Sequence, residues 1–371
     1  MSNFSDLVGK DVRKGNPFRS IYVPSSSKEL LDICFRRALK VSYPGGLRLN
    51  TIKKKKSVVI TRIKVLSREI SQILTDLVKK FPSTEKMHEF YLSTMELWLP
   101  KENYKKTIAK IYGAAQLVKR IAEDYIIKVR ALRKPETMTL QKFIKKIDRL
   151  RREAYGRISS VVNSLDKDLR KLADLVKNMK KLPDYDPELP TIVVAGPPNS
   201  GKSSFVKAVS NAKVEIASYP FTTKNVTFGI IEYKQESIVP FRIQIADTPG
   251  LFDRPLSERK DAEIIALKAI QHIADIVLFL YDGSVEAVMN AKEQINVYKT
   301  VKTFFGEDKP ILPAINKVDI IDKDLVGIIT SYMERENIKP MLISIRQKLN
   351  LDKVLERIIG ILKEKTVSPS I

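Results

Sequence analysis

Residues 196–204 read GPPNSGKSS, set between an apolar run, TIVVA, and the mixed stretch FVKAVSNA. Glycine, four residues, glycine, lysine and serine, after a strand-like run and before a helical pattern, spell a phosphate-binding loop. The motif works only if strand, loop and helix follow in that order, because backbone amides and the helix N-terminus must converge on one anion. It therefore commits the surrounding chain to a parallel sheet covered by helices.

The residues after 190 agree. TIVVAG, NVTFGIIEY, FRIQIAD, DIVLFLYD, KPILPAINK and KPMLISI are short apolar runs, most of them separated by helical patterns. The second and third are close enough for a hairpin. Residues 191–368 are thus expected to form a doubly wound α/β domain, with its ligand at the carboxyl ends of the strands. In the loop, the backbone amides of Asn199, Ser200, Gly201, Lys202 and Ser203 would wrap the phosphates, with Ser204 next to them. Lys202 would reach the outer phosphates, and the Ser203 hydroxyl would ligate Mg²⁺.

The base is read further on. NKVD, 316–319, closes the run KPILPAI. Asp319 can accept hydrogen bonds from the ring amide and exocyclic amine of guanine, a donor pair that adenine lacks, so GTP or GDP is the expected nucleotide. Asn316 would steady this loop and the Lys317 stem would cover the ring. Ser344 and Ile345, in the loop SIR after the last strand, would bring a backbone amide to the guanine oxygen. DTPG, 247–250, ends FRIQIA: Asp247 would hold Mg²⁺ through water, and the Gly250 amide would touch the γ-phosphate. YPFTTKN, 219–225, offers Thr223 to complete the metal shell, with Thr222 as the alternative. Lys202, Thr223 and Gly250 are therefore candidate catalytic positions, and the two loops form a switch released when the γ-phosphate leaves.

The first half has a different rhythm. Val59, Ile63, Leu66, Ile70, Ile73, Leu77 and Phe81 step by threes and fours. So do Ile108 to Leu132 and Phe143 to Leu172, which are seams of packed helices. Pro82, Pro100 and Pro135 divide the run, and a single helix is expected over about 140–181. LPDYDPELP, 182–190, marks the boundary, giving a helical bundle over 1–182, a linker over 183–190 and the α/β domain beyond. The expected class is α followed by α/β.

Charge separates the halves. Residues 1–190 carry 42 Lys and Arg against 21 Asp and Glu, whereas 191–371 carry 24 against 22. Nearly all of the formal +23 thus sits on the helical half, including Lys53 to Lys56 and Lys142, Lys145, Lys146, Arg149, Arg151 and Arg152. Such a surface expects a polyanion, RNA first and an anionic membrane second. No run of 18 apolar residues and no signal-peptide core occurs, so a soluble, cytoplasmic protein is expected, monomeric and without a transmembrane segment. One cysteine, Cys34, and two distant histidines exclude a disulfide framework and a Cys/His metal centre. Cys34, Trp98 and His272 read as packing or surface residues.

GPPNSGKSS, YPFTTKN, ADTPGLFDRPLSER and INKVD resemble the Obg-type GTPases, and within them the nucleolar GTP-binding protein 1 family. NPFRSIYVPSSSKELLDICFRRALK and the helical stretch to about 182 resemble that family's N-terminal domain. The resemblance implies hydrolysis of GTP during assembly of the large ribosomal subunit, with the helical domain on ribosomal RNA. Pro197 and Ser200 stand where tyrosine and valine are usual. The chain also ends soon after the GTPase domain, which is expected of a compact, archaeal-like form. Leu251 follows DTPG where a Ras-type enzyme has its water-orienting glutamine. In related GTPases lacking that glutamine, an asparagine at the position of Asn199 helps to hold a potassium ion. The resemblance therefore adds Asn199 to the catalytic candidates and K⁺ to the cofactors, with slow intrinsic hydrolysis stimulated by K⁺ or by the ribosomal particle. A GTPase with its basic domain on a membrane or another RNA is the alternative.

Overall fold

The computed structural model describes residues 15–40, 51–182, 184–210, 215–217, 226–233, 241–247, 267–268 and 270–367. These fall into two compact units.

The first unit is helical. It contains α1 (Ser27–Leu39), α2 (Thr51–Lys80), α4 (Lys101–Ala131), α5 (Leu140–Asn163) and α6 (Asp166–Met179), while α3 (Glu89–Glu96) belongs to the second unit. The predicted seams are its core: Val59, Ile63, Leu66 and Ile70 of α2 face inward with Ile111, Ala115 and Val118 of α4. Phe143, Ile147, Ala154 and Ile158 of α5 are buried in the same way. Helices α2, α4 and α5 pack on one another, and α1 lies against α2, α5 and α6. Starts follow local chemistry. The Ser26 hydroxyl accepts from the Glu29 amide at α1, Thr139 caps α5 by accepting from the Lys142 amide, and Pro100 precedes α4.

One expectation fails here. The helix expected over about 140–181 is two helices, broken at Ser164 and Leu165. Asn163 and Ser164 are poor helix formers. The turn is held from outside, since Asp166 Oδ1 accepts from the Ser27 amide and hydroxyl, both at 2.9 Å, while Leu165 is fully buried. Packing thus overrides a continuous apolar stripe.

The second unit is built on a seven-stranded sheet in the order β2-β3-β4-β1-β5-β6-β7. The strands are β1 (Thr191–Ala195), β2 (Glu215–Ala217), β3 (Val226–Tyr233), β4 (Phe241–Asp247), β5 (Ile276–Asp282), β6 (Ile311–Asn316) and β7 (Met341–Leu342). From β4 to β7 neighbours run parallel, and β3 is antiparallel to β4, the expected hairpin. All six predicted strands are present. The additional β2 is three residues long and was not legible as a strand.

Helix α7 (Lys202–Val209) follows the phosphate-type loop, and α8 (Ala291–Phe305), α9 (Lys323–Arg335) and α10 (Leu351–Val367) come later. Alternation along the strands divides the core. Ile276, Leu278 and Leu280 pack with Phe205 and Val206 of α7 and with Val354 and Ile358 of α10. The intervening Phe279 and Tyr281 meet Tyr298 of α8, and the Tyr281 hydroxyl donates to Met333 of α9. The sheet is therefore covered on both faces.

The unit also gathers segments that periodicity assigned to the helical half. Residues 88–97 lie in it, with Phe90 edge-on to Phe228 and the Tyr91 hydroxyl accepting from the Tyr185 amide. The stretch read as a linker is fastened to the sheet: Asp186 exchanges hydrogen bonds with the Gln244 side chain of β4, at 2.9 and 2.7 Å. Among the described residues, no helix is long and apolar enough to cross a membrane.

Candidate functional site

The site lies at the carboxyl ends of β1, β5 and β6, where the loops after the central strands meet. Two glycines shape the first loop. A Cβ on Gly196, at φ +149°, would sit 2.2 Å from the Leu280 carbonyl oxygen, and one on Gly201, at φ +96°, would sit 2.4 Å from Asn316 Nδ2. Neither position has room for a side chain, so the backbone runs close to β5 and β6 and leaves a cradle for an anion. Asn199 also adopts a left-handed φ of 61°, which an asparagine tolerates.

Lys202 opens α7 and is 7% exposed. Its ammonium donates to the carbonyls of Gly196 and Pro197, at 2.8 and 2.7 Å, so the loop curls around the charge that would meet phosphate oxygens. The next residue completes a second feature. The Ser203 hydroxyl donates to the carboxylate of Asp247, a buried residue at the end of β4. Two oxygen ligands expected of Mg²⁺ from separate segments thus converge, and a hard oxygen pair beside a phosphate cradle suits that ion.

The base-side loops are joined to the phosphate-side loop through Asn316. Its Nδ2 donates to the Ser200 carbonyl at 2.8 Å, and its Oδ1 accepts from the Ile345 amide at 3.1 Å. The Ser344 hydroxyl donates to Asp319 Oδ1 at 2.6 Å and accepts from the Gln347 amide. That bond, more than any other influence, holds the Asp319 carboxyl below the usual range, so it stays an acceptor at neutral pH. The structure therefore gathers Asn199, Ser200, Gly201, Lys202, Ser203, Ser204 and Asp247 on one side, and Asn316, Lys317, Asp319, Ser344 and Ile345 on the other. Thr223, its alternative Thr222, Gly250 and Leu251 lie outside the described residues.

Sequence reasoning missed Asp282. This residue ends β5, is 2% exposed, and accepts from the Lys317 ammonium at 2.7 Å. Its position closing the apolar run DIVLFLYD was the available signal.

Comparison with known proteins follows the same division. Residues 18–186 match the family described as the NOG1 N-terminal helical domain, and residues 191–317 match the 50S ribosome-binding GTPase family. An uncharacterized protein of Methanocaldococcus jannaschii is 33% identical over 85% of this chain and 84% of its own length. Nucleolar GTP-binding protein 1 of Drosophila melanogaster is 30% identical over 91% of this chain, and that of Saccharomyces cerevisiae is 29% identical over 91%. The chain spans about half the length of these two eukaryotic relatives, 50% of each. A helical match followed directly by a GTPase match, with likeness sustained across nearly the whole chain, makes this chain a member of the nucleolar GTP-binding protein 1 family.

Proposed function

We propose that the chain binds GTP with Mg²⁺ and hydrolyses it to GDP and phosphate as a conformational switch in assembly of the large ribosomal subunit, with the basic helical unit on ribosomal RNA. The observation that carries the reading is Asn316, one side chain bonded both to the phosphate-side loop at Ser200 and to the base-side loop at Ile345. A nucleotide that satisfies one loop is thereby registered against the other. The family, whose GTPase part carries the 50S ribosome-binding description, supports the ribosomal setting.

In this reading the amides of Asn199 to Ser203 and the Lys202 ammonium bind the phosphates, and Ser204 extends the helix-N-terminal cradle. Asp319 accepts from the guanine edge, the Lys317 stem covers the ring, and the Ile345 amide meets the guanine oxygen. Ser203 and Thr223 would hold Mg²⁺, with Asp247 reaching it through water, and the ion would supply positive charge to the phosphates. Water attacks the γ-phosphorus as the bond to the GDP oxygen breaks, and the Gly250 amide and Lys202 stabilise the charge on the transferring group. Loss of that group frees the loops carrying Thr223 and Gly250.

The test has two arms. Fluorescence titration should show guanine nucleotides bound far more tightly than adenine nucleotides; a preference for ATP would end the proposal. Crosslinking of the tagged protein to RNA in cells, in wild-type and GTP-locked forms, should recover large-subunit rRNA in a nucleotide-dependent manner. Recovery of no ribosomal RNA would remove the assembly role and leave the GTPase standing.

A further inference from the structure

The corner of the helical unit where α4 passes into α5 forms an open cleft of about 850 Å³. Lys128, Leu132 and Arg133 line it from the end of α4 and the turn that follows, and Lys142, Lys145, Arg149 and Arg152 line it from α5. The α5 positions recur every three or four residues, so they occupy one face of the helix over ~15 Å. The other face of α5 is spent on the core, through Phe143, Ile147 and Ala154. The cleft therefore has cations on both sides, with Leu132 and Leu150 also in its lining.

Little of this charge is neutralised. Arg149 donates to Glu153, the single acid in the lining, and Lys128 pairs with Asp124. Among the described residues, Arg133, Lys142, Lys145, Lys146 and Arg152 are exposed and have no carboxylate partner. Converging like charges repel, and a polyanion seated between them removes the repulsion. The shape narrows the choice. A bilayer presents its charges in one plane and meets the rim of this open cleft, whereas a polynucleotide backbone can lie along it between the two rows of cations. The lining contains no Phe, Tyr, Trp or His, so it offers no platform for stacking the bases of a single strand.

We infer that this cleft grips the sugar-phosphate backbone of a double-stranded RNA segment, through charge and shape and without contact to base edges. The identification of that RNA as ribosomal rests on the function proposed above; the chemistry of the cleft does not.

The experiment is fluorescence anisotropy of the full chain with an RNA duplex of about 20 base pairs, longer than a compact double-strand-binding domain covers. If five unpaired cations each engage a phosphate, affinity falls with a log–log salt slope of about −4.5, roughly 500-fold between about 50 and 200 mM salt. The triple variant Lys142→Gln, Lys145→Gln, Arg152→Gln should flatten that slope by about 3. Lys106→Gln, Lys119→Gln, Arg120→Gln, an equal change of charge on α4 outside the cleft, should leave it near the wild-type value. GTP affinity and circular dichroism of each variant report an intact fold. Equal losses in both variants, wild-type affinity in the cleft variant, or tighter binding to single-stranded RNA or anionic vesicles than to the duplex would overturn the inference. Duplex binding lost only in the cleft variant, with no ribosomal RNA recovered in cells, would keep the cleft and remove the ribosomal source.

Discussion

The ammonium of Lys317 donates to Asp282 Oδ2 at 2.7 Å, tying the loop after β6 to the end of β5. Lys317 sits at a left-handed φ of 64° and its side chain would cover guanine, so its position needs an anchor. Asp282 is itself fixed: its other oxygen accepts from the Ser284 amide and hydroxyl, and Gln294 brackets its backbone at 2.9 Å on both sides. Asp282→Asn keeps the shape and removes the charge-assisted bond. It should weaken GDP binding by about 10-fold, a cost of ~1.4 kcal/mol that lies near the lower end for hydrogen bonds to charged groups. Unchanged affinity in a fluorescence titration would show that Lys317 needs no such brace.

Gly201 tests the cradle by sterics alone. A Cβ there would lie 2.4 Å from Asn316 Nδ2, a buried atom already bonded to Ser200, and the φ of +96° adds strain. Gly201→Ala should destabilise the sheet unit by ~1–3 kcal/mol and abolish measurable nucleotide binding. Gly327→Ala in α9 is the opposite case. Its Cβ would meet nothing within 4 Å, and the substitution should stabilise by ~0.5–1 kcal/mol. Thermal unfolding of the two variants should move in opposite directions.

Asp319 predicts both specificity and pH dependence. Its carboxyl is held low, chiefly by the Ser344 hydroxyl. A depressed value means the acceptor form persists as pH falls, and binding is lost only as pH drops through that lowered value. GTP affinity should therefore stay flat from neutrality to about pH 5, above the ordinary carboxylate range. Ser344→Ala should make affinity decline at higher pH than in the wild type. Asp319→Asn converts an acceptor facing guanine donors into a partial donor. It should cost about 100-fold or more in GTP affinity and favour a base carrying a carbonyl in place of the exocyclic amine.

The acid side of the helical unit rests on a residue at the helix break. Asp166 takes hydrogen bonds from Arg170 and from the Ser27 amide and hydroxyl, which lower its carboxyl from 3.8 to about 2. The folded state thus binds this proton less readily than the unfolded chain. Its contribution is complete above about pH 4 and fades as pH falls toward 2. Asp166→Asn should lower Tm by a few degrees at pH 7. The difference from wild type should shrink below pH 3. A constant difference across that range would place the effect in packing instead.

The parts of this molecule legible in its sequence are those that local chemistry dictates. GPPNSGKSS and NKVD declare themselves because phosphate and guanine each require fixed residue types at fixed spacing. The six predicted strands and the helical seams follow from periodicity. The break at Ser164 and Leu165 was hidden because the apolar stripe runs through it, while the groups that hold the turn include Ser27 and Lys110, both far away in the chain. Periodicity groups residues 88–97 with the helical half, but their attachment depends on Phe90 finding Phe228, a contact between segments far apart in the chain. Asp282 was missed for the same reason, since its role exists only once β5 and β6 are neighbours.

The last prediction concerns the chemical step. Leu251 cannot orient water, because its side chain neither donates nor accepts hydrogen bonds, so the rate must draw on something else. Asn199 is the remaining polar side chain in the loop that is exposed and held in a left-handed conformation, three residues before Lys202. A monovalent cation held there would lie beside the phosphates and offset charge that builds up between them as the bond to γ-phosphorus breaks. K⁺ should then accelerate single-turnover hydrolysis over Na⁺ by about 10-fold, equivalent to ~1.4 kcal/mol of barrier. Asn199→Ala should bring the rate in K⁺ down to the rate in Na⁺. Identical rates for the wild type in the two salts would eliminate the cation and leave Asn199 as a loop-shaping residue.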